Sequence, residues 1–165
     1  MAYRNILTKE EPLLYKTCRP VTEFNARLHQ LLDDMRDTLL ASDGVGLAAP
    51  QVGVLRRVVL VLETNVAEDE EEYIIELINP QIIDMAGSQC GPEGCLSVPG
   101  EYGLVTRPYR VKVRAQDRYG EWFEVEGEGL TARCFSHELD HLDGVLFTSL
   151  CEKMLTQEEL ESGEF

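Results

Sequence analysis

Apolar positions along this chain recur with two different periods. Between Thr22 and Ser42 they fall at Phe24, Leu28, Leu31, Leu32, Met35, Leu39 and Leu40, with polar residues between them. This is the spacing of one face of a helix, and Thr22 is placed to cap its start. Further on, residues 57–63 (RVVLVLE) and 73–80 (YIIELINP) are short, rich in β-branched residues and closed by turn formers, so they read as strands. Residues 104–115 alternate in part and 121–127 (EWFEVEG) alternate well, with 117–120 (DRYG) between them as a hairpin turn. The helical period then returns from Leu130 to Leu142 and stops at Gly144, a good terminator. Residues 43–53 (DGVGLAAPQVG) read as a glycine-rich loop, and the tail from Glu152 reads as a short surface helix. The order of helix, strands, hairpin and late helix predicts an α+β domain with the last long helix packed on a sheet. With no internal repeat and no linker, residues 1–165 are expected to form a single domain.

Composition narrows the class. Apolar content of 44% and charged content of 27% suit a soluble globular protein. No apolar run approaches the roughly 18 residues that span a bilayer, and the first residues lack the apolar stretch of a secretory signal. Five cysteines, an odd number, argue against a disulfide framework. The expected location is therefore the reducing cytoplasm, where a conspicuous cysteine is more often catalytic or metal-binding. A net charge of −15 repels naked nucleic acid. The acids concentrate at 68–72 and 158–164, which read as a solvated loop and a frayed end. The basic stretch from Arg107 to Arg118 has two readings, a face for an anionic partner or the exposed side of a strand.

Candidate chemistry lies on the second helix, at 134–144 (CFSHELDHLDG). Two of the chain's three histidines, His137 and His141, stand four apart with Glu138 between. Residues at that spacing share a helix face about 6 Å apart along the axis, so both imidazoles can converge on one cation. Glu138 then points close enough to take a proton from a water that the cation polarises. The remaining histidine, His29, has no histidine or cysteine three or four residues away and reads as structural. A catalytic site of this kind wants a third protein ligand and an open position. Position 147 is Phe147, so the third histidine of the long metalloprotease pattern is absent. Glu161 lies in an acidic tail, and Cys134 is two helical turns from His141, about 10 Å along the axis. Cys95, in the glycine- and proline-bounded stretch 92–100 (PEGCLSVPG), is the preferred third ligand. The stretch GVGLAA also fits a loose dinucleotide fingerprint, with Glu63 as the ribose acid, but it follows a helix where that motif must follow a strand.

Three segments, 44–51 (GVGLAAPQ), 93–97 (EGCLS) and 137–141 (HELDH), occur in an order and spacing that resemble bacterial peptide deformylase. The resemblance runs through nearly the whole chain. It implies an α+β fold with mixed or antiparallel β-sheets around a central helix that carries the histidine pair. It implies one divalent metal held by Cys95, His137 and His141, usually ferrous iron, with zinc, nickel or cobalt able to substitute. By the same resemblance Glu138 is the general acid and base, and Gln51 and the backbone N–H of Leu96 polarise the formyl carbonyl. Gly46 and Gly94 line the substrate cleft, and Val45, Leu130 and Cys134 are candidate lining for a methionine side chain. The implied substrate is the N-formyl-methionyl end of nascent polypeptides, and the implied enzyme is a monomer for which the ribosome is a candidate partner. Ser136 stands where many relatives have glutamine, and Tyr102 where some have an arginine near the substrate. The competing class is a general metallopeptidase, from which thiolate ligation by Cys95 would separate it.

Overall fold

The computed structural model describes residues 2–165. The described chain runs α1 (Ala26–Leu40), β1 (Gly46–Ala48), β2 (Val58–Glu63), β3 (Tyr73–Ala86), β4 (Gln89–Cys95), β5 (Val98–Arg107), β6 (Arg110–Gln116), β7 (Trp122–Glu128), α2 (Leu130–Leu142), β8 (Lys153–Met154) and α3 (Gln157–Ser162). The strands form two antiparallel sheets, a five-stranded one in the order β1-β2-β3-β6-β7 and a three-stranded one in the order β4-β5-β8. This is the α+β class expected, with α2 as the central helix.

The run VVLVL does not alternate because β2 is covered on both faces. Val59 and Val61 pack toward α2 with Leu77, Val111, Val113 and Phe135. Val58 and Leu60 pack toward α1 with Leu28, Leu32, Met35 and Leu39. A third cluster, of Leu14, Val98, Val105, Leu146 and Phe147, lies against the smaller sheet. Helix α2 is buried along most of its length and packs against β1, β2, β6 and β7. Its approach to β7 depends on Gly127, where a Cβ would come within 2.5 Å of Thr131 Cγ2 and 2.8 Å of Phe135 Cε2.

Several boundaries differ from the sequence expectation. Helix α1 is capped by Asn25, whose side chain accepts from the Leu28 N–H at 3.2 Å, and not by Thr22. The segment ahead of it is held by Asn79, which accepts from the Val21 N–H at 2.8 Å and donates to the Val21 carbonyl at 2.9 Å. Asn79 itself has φ of 52° beside a register shift in β3, so Pro80 falls in an irregularity and the strand continues to Ala86. Residues 104–115 are not one strand. Pro108 has no N–H to offer a ladder, and the chain there leaves β5 in one sheet and enters β6 in the other. The 117–120 turn is as expected, with Asp117 Oδ1 accepting from the N–H groups of Tyr119 and Glu121. The tail helix is confined to α3, since Lys153 and Met154 pair with β5.

Candidate active site

Four pieces of chain meet at one cleft of about 360 Å³. Helix α2 supplies His137 and Glu138, the end of β4 supplies Cys95, the turn after it supplies Leu96, and β1 with the 3₁₀ turn behind it supplies Gly46 and Gln51. Val45, Gly94, Leu130 and Cys134 line the same cleft, so the candidate residues read from the sequence share one wall system. His141 lies beneath it, fully buried.

One ligand atom each from Cys95, His137 and His141 lies within 4.8 Å of the other two. The Cys95 Sγ is 3.3 Å from His141 Nε2, which is 3.2 Å from His137 Nε2. Cys134 lies outside this group, its thiol donating to the Val45 carbonyl at 3.4 Å. Glu161 is exposed on α3 and His29 bonds the Arg118 carbonyl at 2.7 Å, both away from the cleft. The GVGLAA stretch opens a strand and a 3₁₀ turn, so the strand–turn–helix of a dinucleotide site is not formed.

The donor set fits a divalent cation of borderline softness, two imidazoles and one thiolate. The histidine tautomer also fits. His137 Nδ1 donates to Glu93 Oε2 at 2.7 Å, which leaves its Nε2 lone pair facing Cys95 and His141. Burial works against a proton on His137, but Glu138, Cys95 and Glu93 together raise its affinity well above the usual imidazole value. Beside it, burial and the charge of His137 hold His141 well below that value. Glu138 lines the cleft, is 4% exposed, and its buried Oε1 has no hydrogen-bond partner among the described residues. Burial pushes the Glu138 carboxyl up to about 7, with Glu93 adding to the rise and His137 and Arg107 opposing it.

Around the metal-ligand group is a set of residues the sequence did not identify. Glu93 Oε1 accepts from Arg107 Nε and Arg133 Nη1, both at 3.0 Å, and its Oε2 accepts from Arg107 Nη2 and His137 Nδ1, both at 2.7 Å. Burial alone would raise the Glu93 carboxyl, but His137 and Arg107 hold it down at about 2. Arg107 also donates to Asp140 at 2.7 Å. Arg107 is therefore neither part of a face for an anionic partner nor on the exposed side of a strand. It is 7% exposed, because two acids on other elements neutralise it in the interior. The remaining cations of that stretch are also engaged: Arg110 with Asp84 and Glu126, Lys112 with Glu124, Arg118 with Glu76, and Arg114 over the Trp122 ring. The one local signal for Glu93 was its place two residues before Cys95, and spacing could not show its partners.

On the opposite side Gln51 is fixed at both ends of its amide. Its Oε1 accepts from the Ala48 N–H at 2.9 Å, and its Nε2 donates to Ser97 Oγ at 3.1 Å and faces Cys95 Sγ at 3.6 Å. Gly46 has no room for a side chain, since a Cβ there would lie 2.5 Å from both Cys134 Sγ and Glu138 Oε2. Gly94 gives the same close seat to the Tyr102 ring, at 2.5 Å from a built Cβ.

The sequence model of the polypeptide deformylase family matches residues 3–157. The peptide deformylase of Caldicellulosiruptor bescii is 50% identical over 161 residues, 98% of this chain and 93% of that protein. The crystal structure of peptide deformylase from Thermotoga maritima superposes with a TM-score of 0.85 at 37% identity, covering 92% of this chain and 99% of the other. A Met-Ala-Ser-bound crystal structure of a class I type b peptide deformylase from Acinetobacter baumannii superposes with a TM-score of 0.82 at 36% identity, covering 90% of this chain and 98% of the other. A match over nearly the whole sequence, joined to a cysteine, two histidines and a glutamate around one cleft, leads to one conclusion: the chain belongs to the polypeptide deformylase family.

Proposed function

We propose the following division of labour for the reaction of this family. The chain is a metal-dependent hydrolase that removes the formyl group from the amino terminus of nascent formyl-methionyl polypeptides, with formate and a free amine as products. The observation that carries the reading is the convergence of Cys95, His137 and His141 beside the buried carboxylate of Glu138. Those three residues would hold one divalent ion, ferrous iron in the cell, with zinc, nickel or cobalt as substitutes. When bound, such an ion acts as a Lewis acid that lowers the pKa of a water and polarises a carbonyl.

Glu138 accepts the proton that the attacking water loses as its oxygen bonds to the formyl carbon. It then returns that proton to the amide nitrogen as the carbon–nitrogen bond breaks, so the amine leaves neutral together with formic acid, whose remaining acidic proton passes to solvent to give formate. Gln51 Nε2 and the Leu96 N–H donate to the oxygen that becomes negative, each at about 3 kcal/mol of barrier. Glu93 keeps the His137 Nε2 lone pair directed at the ion by holding the proton on Nδ1. Gly46 lets a peptide backbone lie against β1, Gly94 borders it on β4, and Val45, Leu130 and Cys134 offer an apolar seat for the methionine side chain. The bound Met-Ala-Ser of the Acinetobacter relative has the sequence of a deformylated amino terminus and supports this substrate class. The enzyme acts as a cytoplasmic monomer made of one domain. Contact with ribosomal RNA is disfavoured, because the 107–118 cations are paired internally in a chain of charge −15.

The test is formate release from a formyl-methionyl tripeptide by anaerobically iron- or nickel-loaded protein, with Glu138→Ala beside it. The wild type releases formate, and the variant loses about 10²- to 10⁴-fold in kcat with its metal content retained. Absence of formate from folded, metallated wild type, with hydrolysis of unformylated peptides in its place, would assign the site to a metallopeptidase.

A further inference from the structure

A second concavity, of about 640 Å³, shares no lining residue with the candidate active site. It lies between the extended segment that precedes α1, the first turns of α1 and the residues ahead of β2. Four arginines line it: Arg4, Arg19, Arg27 and Arg56. Arg4 is paired with Asp34 at 2.9 Å. Arg19 and Arg56 stand side by side in a parallel bridge, with the Arg19 N–H on the Leu55 carbonyl at 3.2 Å and the Arg57 N–H on the Arg19 carbonyl at 3.0 Å. Among the described residues the guanidinium groups of Arg19, Arg27 and Arg56 have no ion pair or hydrogen bond. One acid, Glu23, lines the same cleft, and its carboxylate takes the Asn25 side chain at 3.2 Å.

Outside the cleft most cations are paired, although the side chains of Lys16 and Arg36 also have no ion pair or hydrogen bond among the described residues. The chain has 30 acidic and 15 basic residues. Arg57, Arg107, Arg110, Arg118 and Arg133 each meet a carboxylate, and Arg114 lies over an indole. With acids in such excess, three exposed arginines lining one cleft beside a single acid make a local concentration of positive charge. An exposed guanidinium with all its donors free is a fork shaped for phosphate oxygens. Val21, Leu28 and Leu31 also border the cleft but are nearly fully buried, so the wall open to a ligand is mainly polar. A cleft of this size and polarity suits a small anionic molecule.

We propose that this cleft binds a small organic phosphate carrying two or more phosphoryl groups, held by Arg19, Arg27 and Arg56. An extended nucleic acid fits less well, because it would bring many phosphates against a surface of net charge −15, whereas a compact ligand stays within about one Debye length of the arginines.

The test is titration calorimetry of the metal-loaded protein with ADP at about 0.15 M salt. The Arg19→Ala/Arg56→Ala double variant and Arg36→Ala are titrated in parallel, Arg36 being an arginine outside the cleft. ADP is expected to bind the wild type and Arg36→Ala alike and the double variant at least tenfold more weakly. Unchanged formate release by the double variant shows that it is folded with its active site intact. Equal affinity in all three proteins would place the ligand on the catalytic metal and overturn the proposal, as would an absence of binding heat. Arginine-dependent binding of a short single-stranded RNA, with none of ADP, would overturn it in favour of a nucleic-acid surface.

Discussion

Glu93 shows how much of this site rests on a residue that need not touch the substrate. Its two oxygens take four hydrogen bonds from two arginines and a histidine, and with Asp140 the group contains two acids and two arginines. Removing one member of such a buried set leaves the others without compensation, at about 3–5 kcal/mol. Glu93→Ala is therefore expected to lower thermal stability by that order and to weaken metal affinity by about 10- to 100-fold, because His137 loses the partner that sets its tautomer. Thermal unfolding and competition with a chelator measure the two effects separately. At Gly46 the constraint is steric. A methyl group 2.5 Å from Glu138 Oε2 moves the carboxylate or the strand, so Gly46→Ala should lose roughly 10²-fold in kcat with metal content close to normal. Steady-state kinetics with metal analysis decides this, and an unchanged kcat would remove Glu138 from the constraint. Of these residues, the histidine pair, Glu138 and Cys95 were legible in the sequence because the first three share one helix face and Cys95 sits in a stiff glycine–proline stretch. Glu93 was not, since its partners lie 14, 40 and 44 residues away.

At the scale of elements, local rules accounted for the structures that make their own hydrogen bonds. Helix α2 has the predicted ends, and the β6–β7 hairpin turns where Asp117 and Gly120 put it. The two strands that flank the cleft were not legible as strands. β1 is three residues long inside a glycine-rich run, and β4 contains glycine and proline, which strands disfavour. Both are edge strands, where proline is tolerated and where short length is common. Their glycines are what allow Glu138 and Tyr102 to approach so closely, so the same feature that hid the strands shapes the site. Helix α1 is different in kind, since it supports β2 from the face away from α2. Asn25→Ala should cost about 1 kcal/mol of stability through loss of the cap and leave kcat unchanged. Chemical denaturation beside an activity assay tests this, and a fall in kcat would mean that α1 reaches the site.

For the whole molecule, charge sets the behaviour. The net charge of −15 repels itself in the folded state, and raising salt from about 10 mM to about 0.5 M shortens the Debye length from about 30 Å to a few ångströms. The exposed ion pairs that salt also weakens are worth about 0–1 kcal/mol each, so relief of self-repulsion wins. The melting temperature should rise with sodium chloride, a result that calorimetry can check, and a fall would mean that the surface pairs dominate. By itself the sequence determined what short-range patterns can encode: the helical stripe of α2, the pairing of His137 with His141, the acid between them, and the turns that reverse the chain. Only the tertiary structure decided which distant groups complete that pattern. The burial of Arg107, the hold of Glu93 on His137 and the meeting of edge strands β1 and β4 at one cleft come from packing two sheets around one helix. Each of these contacts joins residues whose separation in sequence carries no periodic signal.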